Sequence, residues 1–433
     1  MKPGAGLAAK GRKVIIIGAG LSGLAAARDL TKLGAEVILF EARDRIGGRV
    51  WTSRLWPDLP MDLGASWIHG AKGNPLTKLA DEARAGRSGT DYERSSWHDV
   101  DGAQIDNEQA SAKAEALLRQ ARQGADGLQA DVSLEEAIKA SPEWKHADAT
   151  MRRAVRQYVF STIEAEYGGG WSETSSWHFD ADEAFGGGEE LFPQGFDQLT
   201  RHLARGLDIR LSRQVRNIAP EKNGVRVALA DGTVLSADHV IITVPLGVLK
   251  AGSIAFATPL SPARQSAIET LRMGALNKCC LRFDKVVWPA DIDWIGWQGP
   301  RDGGWSQWLS LARAAKAPAL IAFHAADTAR GLEKLSDADM AAGAHEALKV
   351  MFGNQFASPR AVQVTRWARD PWSYGAYSFN AVGTTPATRK ALSGADWGGR
   401  LVFAGEACSA EYFGTTHGAL LSGRAAAKQI ARS

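Results

Sequence analysis

At 433 residues the chain exceeds what one hydrophobic core holds, so two domains are expected. A formal net charge of +3, with no cluster of Lys and Arg among aromatics, argues against nucleic acid as a partner. Three cysteines without a framework spacing fit a reducing cytoplasm, residues 1–12 lack the apolar core of a leader, and no apolar run approaches the length of a membrane span. A monomer and a homodimer are both compatible with this composition.

The first element is an apolar run, Val14 to Ile17, which reads as a buried parallel strand. Gly18, Gly20 and Gly23 follow at GxGxxG spacing, and the helix-like stretch Leu24–Leu33 closes at Gly34. Gly18 allows a tight turn, Gly20 lets the backbone approach a pyrophosphate, and Gly23 lets the helix lie against the strand. A second strand, Glu36 to Phe40, delivers Glu41, whose carboxylate can accept from ribose hydroxyls and argues against a 2′-phosphate. Strand, turn, helix, strand and acid together read as a dinucleotide cradle.

Next comes Arg43-Asp44-Arg45-Ile46-Gly47-Gly48-Arg49, which resembles the extended fingerprint of the flavin amine oxidase family. The resemblance implies FAD, with the turn at Gly48 and Arg49 along its pyrophosphate and Ser22 and Arg43 among the residues that bind it.

After about Gly70 the pattern turns polar and Ala- and Glu-rich, and helices are expected through about Phe160. LFPQGFDQLTRHLARGL reads as a turn and an amphipathic helix, and IRLSRQVRNIAP, GVRVALADGTVLSAD and HVIITVPLGVLK read as strands, with a hairpin at Asp231-Gly232. NKCCLRFDKVVW, IGWQG, SQWLSLA and ALIAFHA alternate like a mixed sheet, GGRLVFAGE gives another buried strand, and a helix closes the chain from about Thr416 to Ala431. The expected fold is α/β: a discontinuous Rossmann-like FAD-binding domain from residues 1–70, 205–255 and 390–433, and an α+β substrate domain, with a mixed sheet and a helical insertion, from 71–204 and 256–389.

Four blocks carry the chemistry. In FAGEACSAEYFGTTHGALLSG a strand ends near Glu406 and a helix opens near Thr415 and Thr416, so its positive end can face the flavin pyrimidine edge. The wording is similar to spermine oxidases, acetylpolyamine oxidases and lysine-specific histone demethylases, which implies that Glu406 binds the ribityl chain, that Thr416 lies on the pyrimidine side, and that Thr415, also beside the cofactor, stands where monoamine oxidases have a second cage tyrosine and so widens the cage. LGASWIHGAKGNPL is similar to the flavin-facing loop of animal polyamine oxidases, so that Gly64, Ala65, Ser66 and Trp67 would pack on the isoalloxazine and His69 would meet the substrate amine. MGALNKCCLRFDKVVWP places Lys278 where the family has its active-site lysine, typically holding a water beside flavin N5.

RWARDPWSYGAYSFNAVG puts Tyr377 on one wall of an aromatic cage, with Trp372 on the cofactor side of its rim and Trp367 on the substrate side. Ala376 stands where monoamine oxidases have the cysteine that bonds the flavin, so FAD is expected to be non-covalent. Val215 matches an adenine contact, and a plain strand valine explains it nearly as well. Glu164 and Glu166 are candidates for a second substrate ammonium, and a solvated charged loop explains them equally.

The resemblance implies a FAD-dependent amine oxidase that takes a polyamine or related amine to an aldehyde and a smaller amine, with O2 reduced to H2O2. The partners are thus a small-molecule amine and O2, without nucleic acid or membrane. The alternatives are an L-amino-acid oxidase, for which Arg84 or Arg152 would have to face the substrate carboxylate, and a specialised cyclic or secondary amine oxidase.

Overall fold

A computed structural model describes residues 9–300 and 303–433 of the chain. The first residues of the stretches 1–70 and 1–12 lie outside the described residues. The molecule has an α/β architecture with parallel and mixed sheets and a separate helical layer.

The first sheet has six strands in the order 208–210, 36–40, 13–17, 239–242, 401–403, 394–396. All neighbours run parallel except the edge strand Gly394–Asp396. Ile15, Ile16, Ile17, Ile241 and Ile242 are buried, as a parallel sheet covered on both faces requires. Three separated stretches of sequence therefore meet in one sheet.

Helix Leu21–Lys32 begins three residues before the expected Leu24, because Gly18 completes the turn alone with φ +107° and Gly20 takes the extended N-cap position. A Cβ on Gly23 would stand 2.0 Å from the Gly18 carbonyl oxygen, so only glycine lets this helix rest on the strand. The last helix, Thr416–Arg432, crosses the first one at Gly423, where a Cβ would stand 2.1 Å from the Ser22 carbonyl oxygen.

The second large sheet has seven strands in the order 361–364, 276–282, 319–325, 307–310, 294–297, 95–98, 104–105. It is mixed, since Trp294–Trp297 runs parallel to Ser95–His98 while the other pairs are antiparallel. Alternation along Leu276–Arg282 sends Cys279 and Leu281 to one face, against Met340, Ala344 and Leu348 of helix Asp337–Phe352. Lys278 and Cys280 take the other face, where Met61 and Leu63 also pack.

Helices were expected throughout the stretch from Gly70 to Phe160, and the structure corrects this: strands Ser88–Thr90, Ser95–His98 and Gln104–Ile105 precede the helices. These are short polar segments, held by pairing with distant strands at residues 189–191 and 294–297 rather than by local pattern. The helical layer then follows in helices Glu108–Asp126, Leu134–Ala140 and Ala149–Val159, packed around Leu117, Ile138, Val155 and Phe179.

Candidate active site

A large cavity is lined by residues of both main sheets, from Ile17 and Phe40 of the first to Lys278, Gln307 and Phe323 of the second. Its first end is built by the turn after strand Lys13–Ile17. The N-cap Gly20 has no side-chain bond to the helix, so the N–H groups of the first turn point out with no partner from the helix itself. The Ser22 hydroxyl is buried beside them with no hydrogen-bond partner, and it lies on the lining. Gly47 and Gly48, both at positive φ, fold across Gly20. Free N–H groups, a helix N-terminus and an orphaned hydroxyl make a site for a phosphate anion.

Glu41 extends this end. Its Oε2 accepts from Ala19 N–H at 2.8 Å and its Oε1 from Arg43 N–H at 2.9 Å, which leaves further lone pairs for a ribose. The Arg43 guanidinium pairs with Asp370 at 2.7 and 2.9 Å. Val215 is buried on the lining nearby. Midway, the Arg49 guanidinium lies 2.8 Å from Glu406, whose other oxygen accepts from the Ser378 hydroxyl at 2.6 Å and from Gly414 N–H at 3.0 Å. Burial pushes the Glu406 carboxyl up, but Arg49, Ser378 and Arg389 outweigh it and hold it below its usual range. The last helix opens at the same place: Thr415 caps it by accepting from Gly418 N–H at 2.9 Å, and Thr416 faces the cavity.

The second end is aromatic and holds the lysine. Lys278 Nζ is buried and donates to the Asp62 and Gly64 carbonyls, each at 2.7 Å, and to the Ser66 hydroxyl at 2.5 Å. Three acceptors match the three N–H bonds of an ammonium, so all its donors are engaged by protein. Burial nonetheless lowers its pKa. The Trp67 and Phe323 rings stand 5.7 and 5.9 Å from Nζ. Trp67 stacks on Trp294 at 5.9 Å, and Tyr92 stacks on the same indole at 4.8 Å.

Tyr377 is fixed by donation of its hydroxyl to the Ala165 carbonyl at 2.7 Å. That carbonyl follows a π-helical turn, Phe160–Glu164, a rare geometry that shifts the residues after it onto the cavity. Glu166, Tyr167 and Ala165 consequently line it. Asp182 joins them and accepts from the Tyr167 hydroxyl at 3.2 Å. Burial, then Glu166 and Asp180, push the Asp182 carboxyl up to about 6.

Of the residues singled out in the sequence, Gly18, Gly20, Ser22, Glu41, Arg43, Gly48, Arg49, Gly64, Ala65, Ser66, Trp67 and His69 all lie on the lining. So do Glu166, Val215, Lys278, Trp367, Trp372, Tyr377, Glu406, Thr415 and Thr416. Glu164 does not, which corrects its expected place on the lining: it is buried, accepts from Trp171 N–H at 3.0 Å and lies 3.5 Å from Arg156. Gly23 lies under the turn rather than on the surface of the cavity. Arg84 ends a helix in the left-handed conformation and Arg152 stacks on Trp144, and neither reaches the cavity. Asp62, Tyr92, Trp294 and Phe323 carry no motif, and only the folded sheet brings them to the lysine.

The model of the flavin containing amine oxidoreductases matches residues 21–431 of the chain. Polyamine oxidase 4 of Oryza sativa subsp. japonica is 37% identical over 433 residues, covering 96% of this chain and 88% of its own length. Polyamine oxidase 2 of Arabidopsis thaliana is 34% identical over 439 residues, covering 96% and 87%. Protein FLOWERING LOCUS D of Arabidopsis thaliana is 34% identical over 439 residues, covering 97% of this chain and 55% of its own length. Since the match spans nearly the whole chain, the protein belongs to the flavin-containing amine oxidoreductase family and is a FAD-dependent oxidoreductase of amines.

Proposed function

We propose that the substrate is a polyamine or a closely related di- or tri-amine, cleaved at a C–N bond to an aldehyde and a smaller amine, with O2 as the electron acceptor and H2O2 as its product. The observation that carries this reading is the pair Glu166 and Asp182. Both carboxylates lie on the lining and, among the described residues, neither is in ion-pair contact with an arginine, lysine or histidine. Neighbouring acids are engaged: Asp180 pairs with Arg122, Glu183 accepts from Tyr412, and Glu189 holds His69. Two carboxylates without an ion pair beside aromatic faces suit a chain bearing more than one ammonium. The plant relatives named as polyamine oxidases lean the same way.

FAD is read as bound without a covalent link, in keeping with the absence of cysteine from the lining among the described residues. Bound there, the flavin supplies the two-electron oxidation of the amine. The protein's share is to bind and orient. Tyr377, Trp367 and Trp67 form flat walls that exclude water and leave a slot for an alkylamine. Glu166 and Asp182 draw the cationic chain in and hold the ammonium groups that do not react. Lys278 ties the Asp62–Ser66 stretch to the sheet through its three engaged donors, and burial lowers its pKa, so Nζ gives up a proton more readily than an ordinary lysine.

An amino-acid oxidase finds less support. Among the described residues the arginines on the lining are Arg43, Arg49 and Arg213, and each is already paired, with Asp370, Glu406 and Asp231 respectively. A panel of spermine, spermidine, their acetyl derivatives, aryl amines and L-amino acids, read by peroxide release, tests the choice. Fastest turnover of a polyamine supports the reading. Fastest turnover of an amino acid or aryl amine ends it.

A further inference from the structure

One carboxylate holds His69 from behind. Strand Glu189–Leu191 runs antiparallel to Trp67–Ile68, with Trp67 opposite Leu191 and Ile68 opposite Glu190, so the next register position sets Glu189 beside His69. Glu189 Oε2 lies 2.5 Å from His69 Nδ1, and its Oε1 accepts from Gly70 N–H at 3.1 Å. An ionised carboxylate only accepts, so Nδ1 carries the hydrogen. The ring is steadied further by stacking on Trp67 at 6.2 Å, and the His69 carbonyl is held by Asn74 at 3.0 Å. Among the described residues Nε2 has no protein partner, and His69 lies on the cavity lining.

We infer that Glu189 is a positioning residue: it locks His69 as the tautomer with Nδ1–H toward the carboxylate, and so offers Nε2 to the amine of a bound substrate. This rests on the amine-oxidase reading above. In the neutral ring Nε2 accepts from an ammonium N–H; in the charged ring it becomes a donor and repels that ammonium. Glu189 thereby governs both the aim of the ring and the pH at which it stops accepting.

The charged and titratable groups acting on the ring come from three elements: Glu189 on its strand, Glu166 after the π-helical turn, and His417 at the start of the last helix. Desolvation by the cavity walls opposes the charge on His69, but the bond to Glu189 and the fields of Glu166 and Glu189 outweigh it and raise the pKa. Replacing Glu189 by an uncharged residue of the same shape removes one of those two fields.

The test uses flavin-loaded enzyme with 15N-labelled histidine, in wild type, E189Q, H69A and the double variant. In wild type the ring nitrogen shifts should show Nδ1–H at alkaline pH, and in E189Q the pKa of His69 should fall. With the best amine of the panel, KM in E189Q should rise about tenfold with kcat within about twofold, the scale of one charge-assisted hydrogen bond. E189Q should then add nothing in the H69A background. An Nε2–H tautomer in wild type, an unmoved His69 pKa in E189Q, or additive effects in the double variant would each overturn the inference. Should E189Q fail to hold flavin, the wild-type tautomer decides, together with E189D, in which the raised His69 pKa should persist. If no amine is turned over, the proposed function fails, while the tautomer and the pKa still judge Glu189.

Discussion

Arg49 and Glu406 meet across the middle of the cavity at 2.8 Å, joining the turn after Gly48 to the end of strand Leu401–Phe403. Arg49 also donates to the Ala376 carbonyl at 2.9 Å, so one guanidinium ties three stretches that are far apart in sequence. Behind this pair stands Arg389. It is buried, donates to Ser378 and Asn380 at 2.8 Å each, and lies 3.9 Å over the Phe413 ring.

Arg389→Met should therefore destabilise the fold by about 3 kcal/mol, because it strands the Ser378 and Asn380 acceptors and leaves Glu406 with less compensating charge. Chemical denaturation of the flavin-loaded protein measures it. A loss below about 1 kcal/mol would mean that the Arg389 network contributes little.

Lys278→Met should slow reduction of the flavin by amine about a hundredfold or more, with the flavin still bound. The methionine keeps the bulk of the stem but cannot bond the Asp62 and Gly64 carbonyls or move a proton. Stopped-flow absorbance under anaerobic conditions reads the rate, and an unchanged rate would remove Lys278 from the chemistry.

Gly23→Ala should prevent flavin loading. The added methyl would stand 2.0 Å from the Gly18 carbonyl oxygen and 2.9 Å from Thr243 Oγ1, so the first helix must lift from its strand and spoil the turn. The flavin-to-protein absorbance ratio of purified material reports it, and full loading would contradict the account of the turn.

Acid pH should weaken substrate binding through Asp182. Its carboxyl is pushed up to about 6, so it loses its charge as the pH falls through that value, and KM for a polyamine should rise about tenfold by the time it is neutral. Asp182→Asn should show the higher KM at every pH and a flatter profile. A profile that is the same in both proteins would place the titration elsewhere.

The stability of the fold should carry the opposite signature at Asp62. Burial pushes this carboxyl up to about 7 from an ordinary 3.8, against the pull of Thr52, Phe196 and Lys278. A carboxyl whose pKa is raised on folding adds stability below its unfolded value and loses that contribution as the pH rises through the folded one. Thermal melting should accordingly show wild type losing ground to Asp62→Asn between about pH 4 and pH 7. A constant difference across that window would contradict the shift.

The first seventy residues were the most legible, because their chemistry is local. A run such as Val14–Ile17 has to be a buried strand, and the glycines at 18 and 23 each answer a contact that the structure contains. Lys278 was legible only through its resemblance to a family. What its strand conceals is the partner: the Asp62 and Gly64 carbonyls have no signature in sequence, and they meet Nζ only because two sheets pack together. Glu164 and Glu166 show the limit most clearly. They are two residues apart in one acidic segment, and a single π-helical turn leaves the first in the interior and the second on the cavity. The strands Ser88–Thr90 and Ser95–His98 were hidden for a related reason, since their polar residues are held by partners from far along the chain.

The most direct test of the central reading is to mix the purified flavoprotein with spermine or spermidine in the absence of oxygen and record the flavin spectrum. Rapid bleaching, reversed on admission of air with release of peroxide, is the expected result. A flavin that stays oxidised with every polyamine, while another class of amine bleaches it, would contradict the proposed substrate.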